Sequence, residues 1–226
     1  MKSFVTAIAI ASALLLAQSC SSTNTAQNQN QAPTPNSTIA VNKVEEHGGH
    51  GSSTNHSMAI DLGPADTDYD LRFIDAMIPH HQGAVLMAQE AQQKSKRPEI
   101  KQLAGDIIKA QDREIQQMQQ WRKNWYPQAG NQAMAYDAKS GKTVAMSPEQ
   151  RQSMMMSGNL GSADDSFDQR FIDAMIPHHE GALTMAQNAL KNTKRPEIKQ
   201  LAQEIVNSQQ KEIDQMKQWR QAWYKQ

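Results

Sequence analysis

FIDAMIPHHQGAVLMAQ, residues 73–89, recurs as FIDAMIPHHEGALTMAQ at residues 171–187. The likeness continues downstream, where EIQQMQQWRKNWY at 114–126 answers EIDQMKQWRQAWY at 212–224. Residues 73–126 and 171–224 align without a gap, and 35 of the 54 aligned positions are identical. The chain is therefore a tandem repeat, and its fold must be built from one unit used twice.

Each copy outlines two helices. In the first copy, one helix is expected from Asp66 or Asp68 to Lys94, with Asp66, Thr67 and Asp68 as candidate N-caps. A second opens at Arg97-Pro98-Glu99, with proline at the first helical position and an acid beside it, and is stopped by Pro127. The second copy repeats this from Asp164 to Lys191 and from Pro196 to Tyr224. Helices of roughly 27 residues are about 40 Å long. One such pair cannot enclose a core, but two pairs can. The expected fold is all-α, an antiparallel four-helix bundle made of two tandem helical hairpins. The organisation read from the chain is a signal peptide at 1–19, a polar disordered segment at 20–64, repeat 1 at 65–126, a methionine-containing connection at 127–163 and repeat 2 at 164–226. A short helix is expected in the connection after Ser147-Pro148-Glu149.

The faces of these helices carry the chemistry. On a helical wheel Met77, His80, His81, Ala84, Met87 and Ala88 fall within about 80° of one another, with Phe73 and Asp70 on the same side. Asp75 and Leu86 point the opposite way. The second helix has a stripe of Ile100, Leu103, Ile107, Gln111, Glu114, Met118, Trp121 and Trp125. Gln111 and Glu114 interrupt that apolar stripe, and the second copy retains them as Gln209 and Glu212. A buried polar group without a partner costs about 1–3 kcal/mol. These side chains must therefore satisfy one another, as a His–Glu–Gln network, or hold an ion. Pro79 and Pro177 each remove a backbone hydrogen bond just before a histidine pair, a local rule broken in both copies.

The histidines stand among methionines: Met77, His80, His81 and Met87 in one copy, Met175, His178, His179 and Met185 in the other. Thioether and imidazole together suit Cu(I), with Ag(I) as its mimic. Di-iron bundles place glutamate three residues before each ligating histidine. Here Met77 and Met175 hold that place, which disfavours iron, and zinc would leave the methionines without a purpose. Glu114 and Glu212 are secondary candidates. Core packing explains methionine equally well at Met118 and Met216.

The pattern F-I-D-x-M-I-P-H-H followed by Q-x-x-E-I-x-x-M-x-x-W resembles a bacterial domain family of unknown function whose better-understood members are periplasmic copper-binding proteins of the CopM type. The resemblance spans both repeats. It implies a ferritin-like helical bundle, copper binding and copper resistance outside the cytoplasm. Carried over by motif position, it implies the ligands Met77, His80, His81, Met87 and Met118, and Met175, His178, His179, Met185 and Met216.

The rest of the chain bounds this reading. Lys2, an apolar run over residues 5–17 and the small residues around Ser19 read as an export signal, too short to span a membrane. Cys20 follows it as in a lipoprotein, and as the only cysteine it excludes an internal disulfide or a thiolate cluster. Formal net charge is zero with no basic run, so nucleic acid is not an expected partner. The segment EEHGGHGSSTNHSM carries His47, His50, His56 and Met58, a flexible tract able to recruit metal loosely or merely a solvated linker. Met154, Met155 and Met156, with Met134 and Met146, offer further thioethers in the connection, or a packing cap. The leading expectation is an exported Cu(I)-sequestering or buffering protein without catalysis, with a copper exporter or another periplasmic carrier as its protein partner. The alternatives are a ferritin-like metal-dependent oxidase and a metal-free interaction module presenting Trp121, Trp125, Trp219 and Trp223. Whether the two histidine pairs face one centre or two is open at this stage.

Overall fold

The computed structural model describes residues 61–155 and 158–225. The export signal, Cys20, His47, His50, His56, Met58 and Met156 lie outside the described residues. In chain order the elements are α1 (Tyr69–Lys94), α2 (Pro98–Trp125), β1 (Met134–Asp137), β2 (Lys142–Ala145), α3 (Pro148–Met155), α4 (Phe167–Asn192) and α5 (Pro196–Tyr224). The architecture is all-α apart from one small hairpin. No described helix is long and apolar enough to cross a membrane.

The prolines act as the sequence implies. Arg97 and Arg195, each preceding a proline, are held extended, so one helix ends and the next begins within three residues. That spacing folds α1 back on α2 and α4 back on α5. Asp68 occupies the N-cap of α1 without a side-chain cap bond. Asp66 instead accepts from the Asp68 amide at 3.0 Å and pairs with Arg72 at 2.9 Å. Arg72 is buried and also donates to the carbonyls of Leu62 and Pro64. Arg170 repeats this clamp on Leu160, Ser162 and Asp164. The structural repeat thus opens with Leu-Gly-x-Ala-Asp at 62–66 and 160–164, before the aligned block.

The two hairpins pack through α1 and α4, which run antiparallel. Tyr69 at the start of α1 donates to Asn188 near the end of α4. Thr193 donates to Asp70 at 2.6 Å, and Arg195 pairs with the same carboxylate at 3.5 Å. At the opposite end Arg97 pairs with Asp168, also at 3.5 Å. Each arginine then lies over a tryptophan of the other repeat, Arg195 on Trp125 and Arg97 on Trp223, both 4.1 Å from the ring centroid. The tryptophans therefore close the ends of the bundle, stacked in pairs with Trp121 and Trp219.

The connection is unequal in its attention to the two repeats. Its β-hairpin, with Ala135 opposite Val144, has no strong signal in the sequence and packs along α1. Asp75, opposite the histidines on the wheel, is buried there. It accepts from the Met134 amide at 2.8 Å and from Arg122 at 3.1 Å. Its counterpart Asp173 stays exposed, 3.4 Å from Arg220. The short helix α3 rests on α1 so closely that a Cβ on Gly83 would come within 1.6 Å of the Met155 carbonyl oxygen. Glycine in a helix interior costs about 0.5–1 kcal/mol relative to alanine, and here it is what lets the two backbones approach.

The unequal burial gives a measurable contrast. Asp75→Ala strands a partly buried guanidinium and should destabilise the protein by about 2–4 kcal/mol. Asp173→Ala removes an exposed pair and should cost under about 1 kcal/mol. Urea denaturation of the two variants checks this.

Candidate metal centre

Both repeats place their polar core residues at helix midpoints. His80 and His81 lie near the middle of α1, and His178 and His179 near the middle of α4. Gln111 and Glu114 hold the middle of α2, and Gln209 and Glu212 that of α5. Above and below are two apolar halves, one at each end of the bundle. A helix of 26 residues is about 39 Å long, so this layer lies about 20 Å from either end.

Antiparallel crossing of α1 and α4 brings the His80 and His178 rings to 3.8 Å between centroids. His81 stands 6.4 Å from His80, and His179 stands 6.4 Å from His178. All four are buried. The two histidine pairs therefore meet in one continuous layer. His81 Nε2 lies 2.7 Å from Glu114 Oε2, and His179 Nε2 lies 2.6 Å from Glu212 Oε2. When Nε2 donates to the carboxylate, the lone pair is left on Nδ1. Those two Nδ1 atoms have no hydrogen-bond partner, and neither do both ring nitrogens of His80 and of His178. Gln111 and Gln209 contribute unpartnered Oε1 atoms to the same layer. Glu114 and Glu212 thus sit behind the imidazoles, fixing their tautomer, as carboxylates commonly do behind metal-bound histidine.

The methionines assemble across the repeats. Met77 and Met118 of repeat 1 share one apolar half with Met185 of repeat 2. Met175 and Met216 of repeat 2 share the other half with Met87 of repeat 1. The five residues carried over for each copy are thereby redistributed, because Met77 and Met87 flank the histidines on one helix yet belong to opposite halves. All six are buried. Met154 of α3 joins the Met77 half, and Met146 packs against it partly buried. Met155 is half-buried, and Met134 leads the β-hairpin outside both clusters. Among the described residues no three His, Cys, Asp or Glu side chains are arranged to hold a metal by themselves.

Desolvation pushes the His80 imidazole well below its ordinary range, reinforced by the neighbouring His178, His81 and His179. The same burial, with His179 and His81, lowers His178. Both rings are neutral when folded and protonate near pH 6.5 when unfolded. A depressed folded value means that the unfolded chain takes up protons first, so stability falls as pH drops below the unfolded value toward the folded one. Each ring should contribute a loss of up to about 1.4 kcal/mol per pH unit below about 6.5. Urea midpoints of the metal-free protein at pH 7.5, 6.5 and 5.5 should fall accordingly, and His80→Leu should flatten the slope.

Comparison with known proteins agrees with this architecture. The family described as Domain of unknown function (DUF305) matches residues 17–122 and 70–220. CopM in its Cu(I)-bound form is 41% identical, with a TM-score of 0.54, and the match covers 69% of this chain and 97% of that one. CopM in a silver-soaked form is 39% identical at the same TM-score and coverage. A DUF305 fragment from Deinococcus radiodurans is 26% identical over 68% of this chain and 95% of its own, with a TM-score of 0.51. An uncharacterized protein of Acanthamoeba polyphaga mimivirus is 49% identical over 49 residues, 22% of this chain. The chain spans about a third of that relative's length, 32%. With the second of its two matches running through both repeats, the chain belongs to the DUF305 family.

Proposed function

We propose that this protein binds Cu(I), with Ag(I) as a mimic, through imidazole and thioether groups inside the bundle, and that it sequesters or buffers copper outside the cytoplasm in support of copper resistance. The observation that carries the reading is the meeting of His80 and His178, unpartnered and buried, between two methionine clusters. Orphaned polar atoms in a dry layer cost about 1–3 kcal/mol each, a cost that a bound cation would remove. Metals take imidazole in its neutral form, and burial already holds both rings neutral, so no proton need be displaced.

Sulfur selects among the metals. Thioethers favour Cu(I) over zinc, iron(III) or a hard divalent ion. The ligands in one half are Met77, His80, His81, Met118 and Met185. In the other they are Met175, His178, His179, Met216 and Met87. Glu114 and Glu212 orient His81 and His179 rather than touch the ion. The likeness to CopM, solved in Cu(I)-bound, Cu(II)-bound and silver-bound forms, supports copper as the cargo. The basic-then-apolar start of the chain, with Cys20 placed for lipidation, supports export and a membrane tether. We assign holding rather than catalysis, with a copper exporter or a second carrier as the recipient.

Titration of the metal-free protein with Cu(I) against a chromogenic chelator tests the proposal, with at least one tight equivalent per chain expected and less than one rejecting it. Met77→Leu with Met175→Leu should weaken copper by at least about tenfold, while the fold loses under about 1.5 kcal/mol per swap. If the double variant unfolds instead, as circular dichroism would report, these two methionines are core filler and their assignment as ligands fails.

A further inference from the structure

The two apolar halves correspond residue by residue at a spacing of 98. Leu62 answers Leu160, Tyr69 answers Phe167, Phe73 answers Phe171, and Met77, Met118 and Met185 answer Met175, Met216 and Met87. Every buried member of the Met77 half has such a counterpart in or against the other half, with one exception. Met154 has none among the described residues.

Met154 comes from α3, outside the repeats. It is the one buried residue of that helix, and its side chain reaches a cluster whose other buried sulfur atoms number three, with Met146 partly buried against it. The approach is built in, since Gly83 lets the Met155 carbonyl rest on α1 two residues beyond His81, and Arg151 donates to Gln82 beside it at 3.2 Å. A leucine would anchor α3 as well, for the two side chains are nearly equal in volume. Only a thioether adds a soft donor.

We infer that Met154 supplies a fourth thioether to the half containing Met77, Met118 and Met185, so that the two halves hold a monovalent soft cation unequally. The inference rests on the copper reading above and deepens it. A fourth soft donor lets that half bind Cu(I) with less help from the shared imidazoles. The half holding Met87, Met175 and Met216 leans on them more.

Competition titrations with Cu(I) on the full chain, its Met154→Leu variant and its Met155→Leu variant test this. Met154→Leu should weaken one class of bound copper by at least about tenfold, the loss that even an outer-shell partner causes, and leave the remainder unchanged. X-ray absorption of the copper-loaded protein should show fewer sulfur neighbours per copper in that variant. Met155→Leu, on the same helix, should titrate as the parent does. Identical titrations for the parent and Met154→Leu overturn the inference, and so do equal losses in both variants, which would trace the effect to a loosened α3. If the parent chain itself takes up no tight Cu(I), the copper reading falls and this inference falls with it, an outcome visible before any variant is made.

Discussion

The crossing of α1 over α4 is the constraint on which the rest depends. It sets His80 against His178 at 3.8 Å in a layer closed to water. Two imidazolium ions at that separation in a medium of low dielectric would repel strongly. The folded chain therefore holds both rings neutral, with their nitrogens free. The same crossing decides which methionines become neighbours. Since α1 and α4 are antiparallel, residues before the histidines on one helix lie beside residues after them on the other. Met77 meets the half containing Met185, and Met87 meets the half containing Met175. Neither repeat could complete its own set alone.

Such a middle layer weakens the bundle where most bundles are strongest. The compensation lies at the ends. Asp70 takes hydrogen bonds and charge from Thr193 and Arg195, and Arg195 covers Trp125. Asp168, Arg97 and Trp223 repeat the arrangement at the far end. Each clamp joins the hairpin turn of one repeat to the helix end of the other. The ends thus fix the relative position of the hairpins, and the midpoint remains free to carry unsatisfied donors. A local departure from good packing, supported from both sides, is the usual form of a functional site.

How much of this was legible in the sequence follows from which distances the sequence encodes. The helices were, since Pro98 and Pro196 mark their starts and the repeat marks their number. So was the buried face that carries the histidines and methionines, because residues three and four apart share a side of a helix whatever surrounds it. The division of Met77 and Met87 between opposite halves was not, since a wheel describes one helix and the partition arises between two. The burial of Asp75 was hidden for the same reason. Its position opposite the histidines is correct on the wheel, but Arg122, 47 residues later, and the amide of Met134 turn that outer face into an interior. The opening Leu-Gly-x-Ala-Asp of each repeat was visible at the spacing of 98, yet its purpose rests on the buried Arg72 and the half-buried Arg170, which fold back to it.

Charge supplies the last step. Imidazole and thioether are neutral ligands, and they leave the charge of a bound ion uncompensated in a dry interior, where an isolated ion is expensive. Glu114 and Glu212 stand one hydrogen bond behind His81 and His179, a single carboxylate for each half of the bundle. One carboxylate balances one monovalent cation through the intervening ring. A divalent ion in the same place would keep an unbalanced charge, since among the described residues each of these rings is paired with one carboxylate. The proposed preference for Cu(I) therefore has two independent roots, the softness of sulfur and the single negative charge stationed behind each histidine pair.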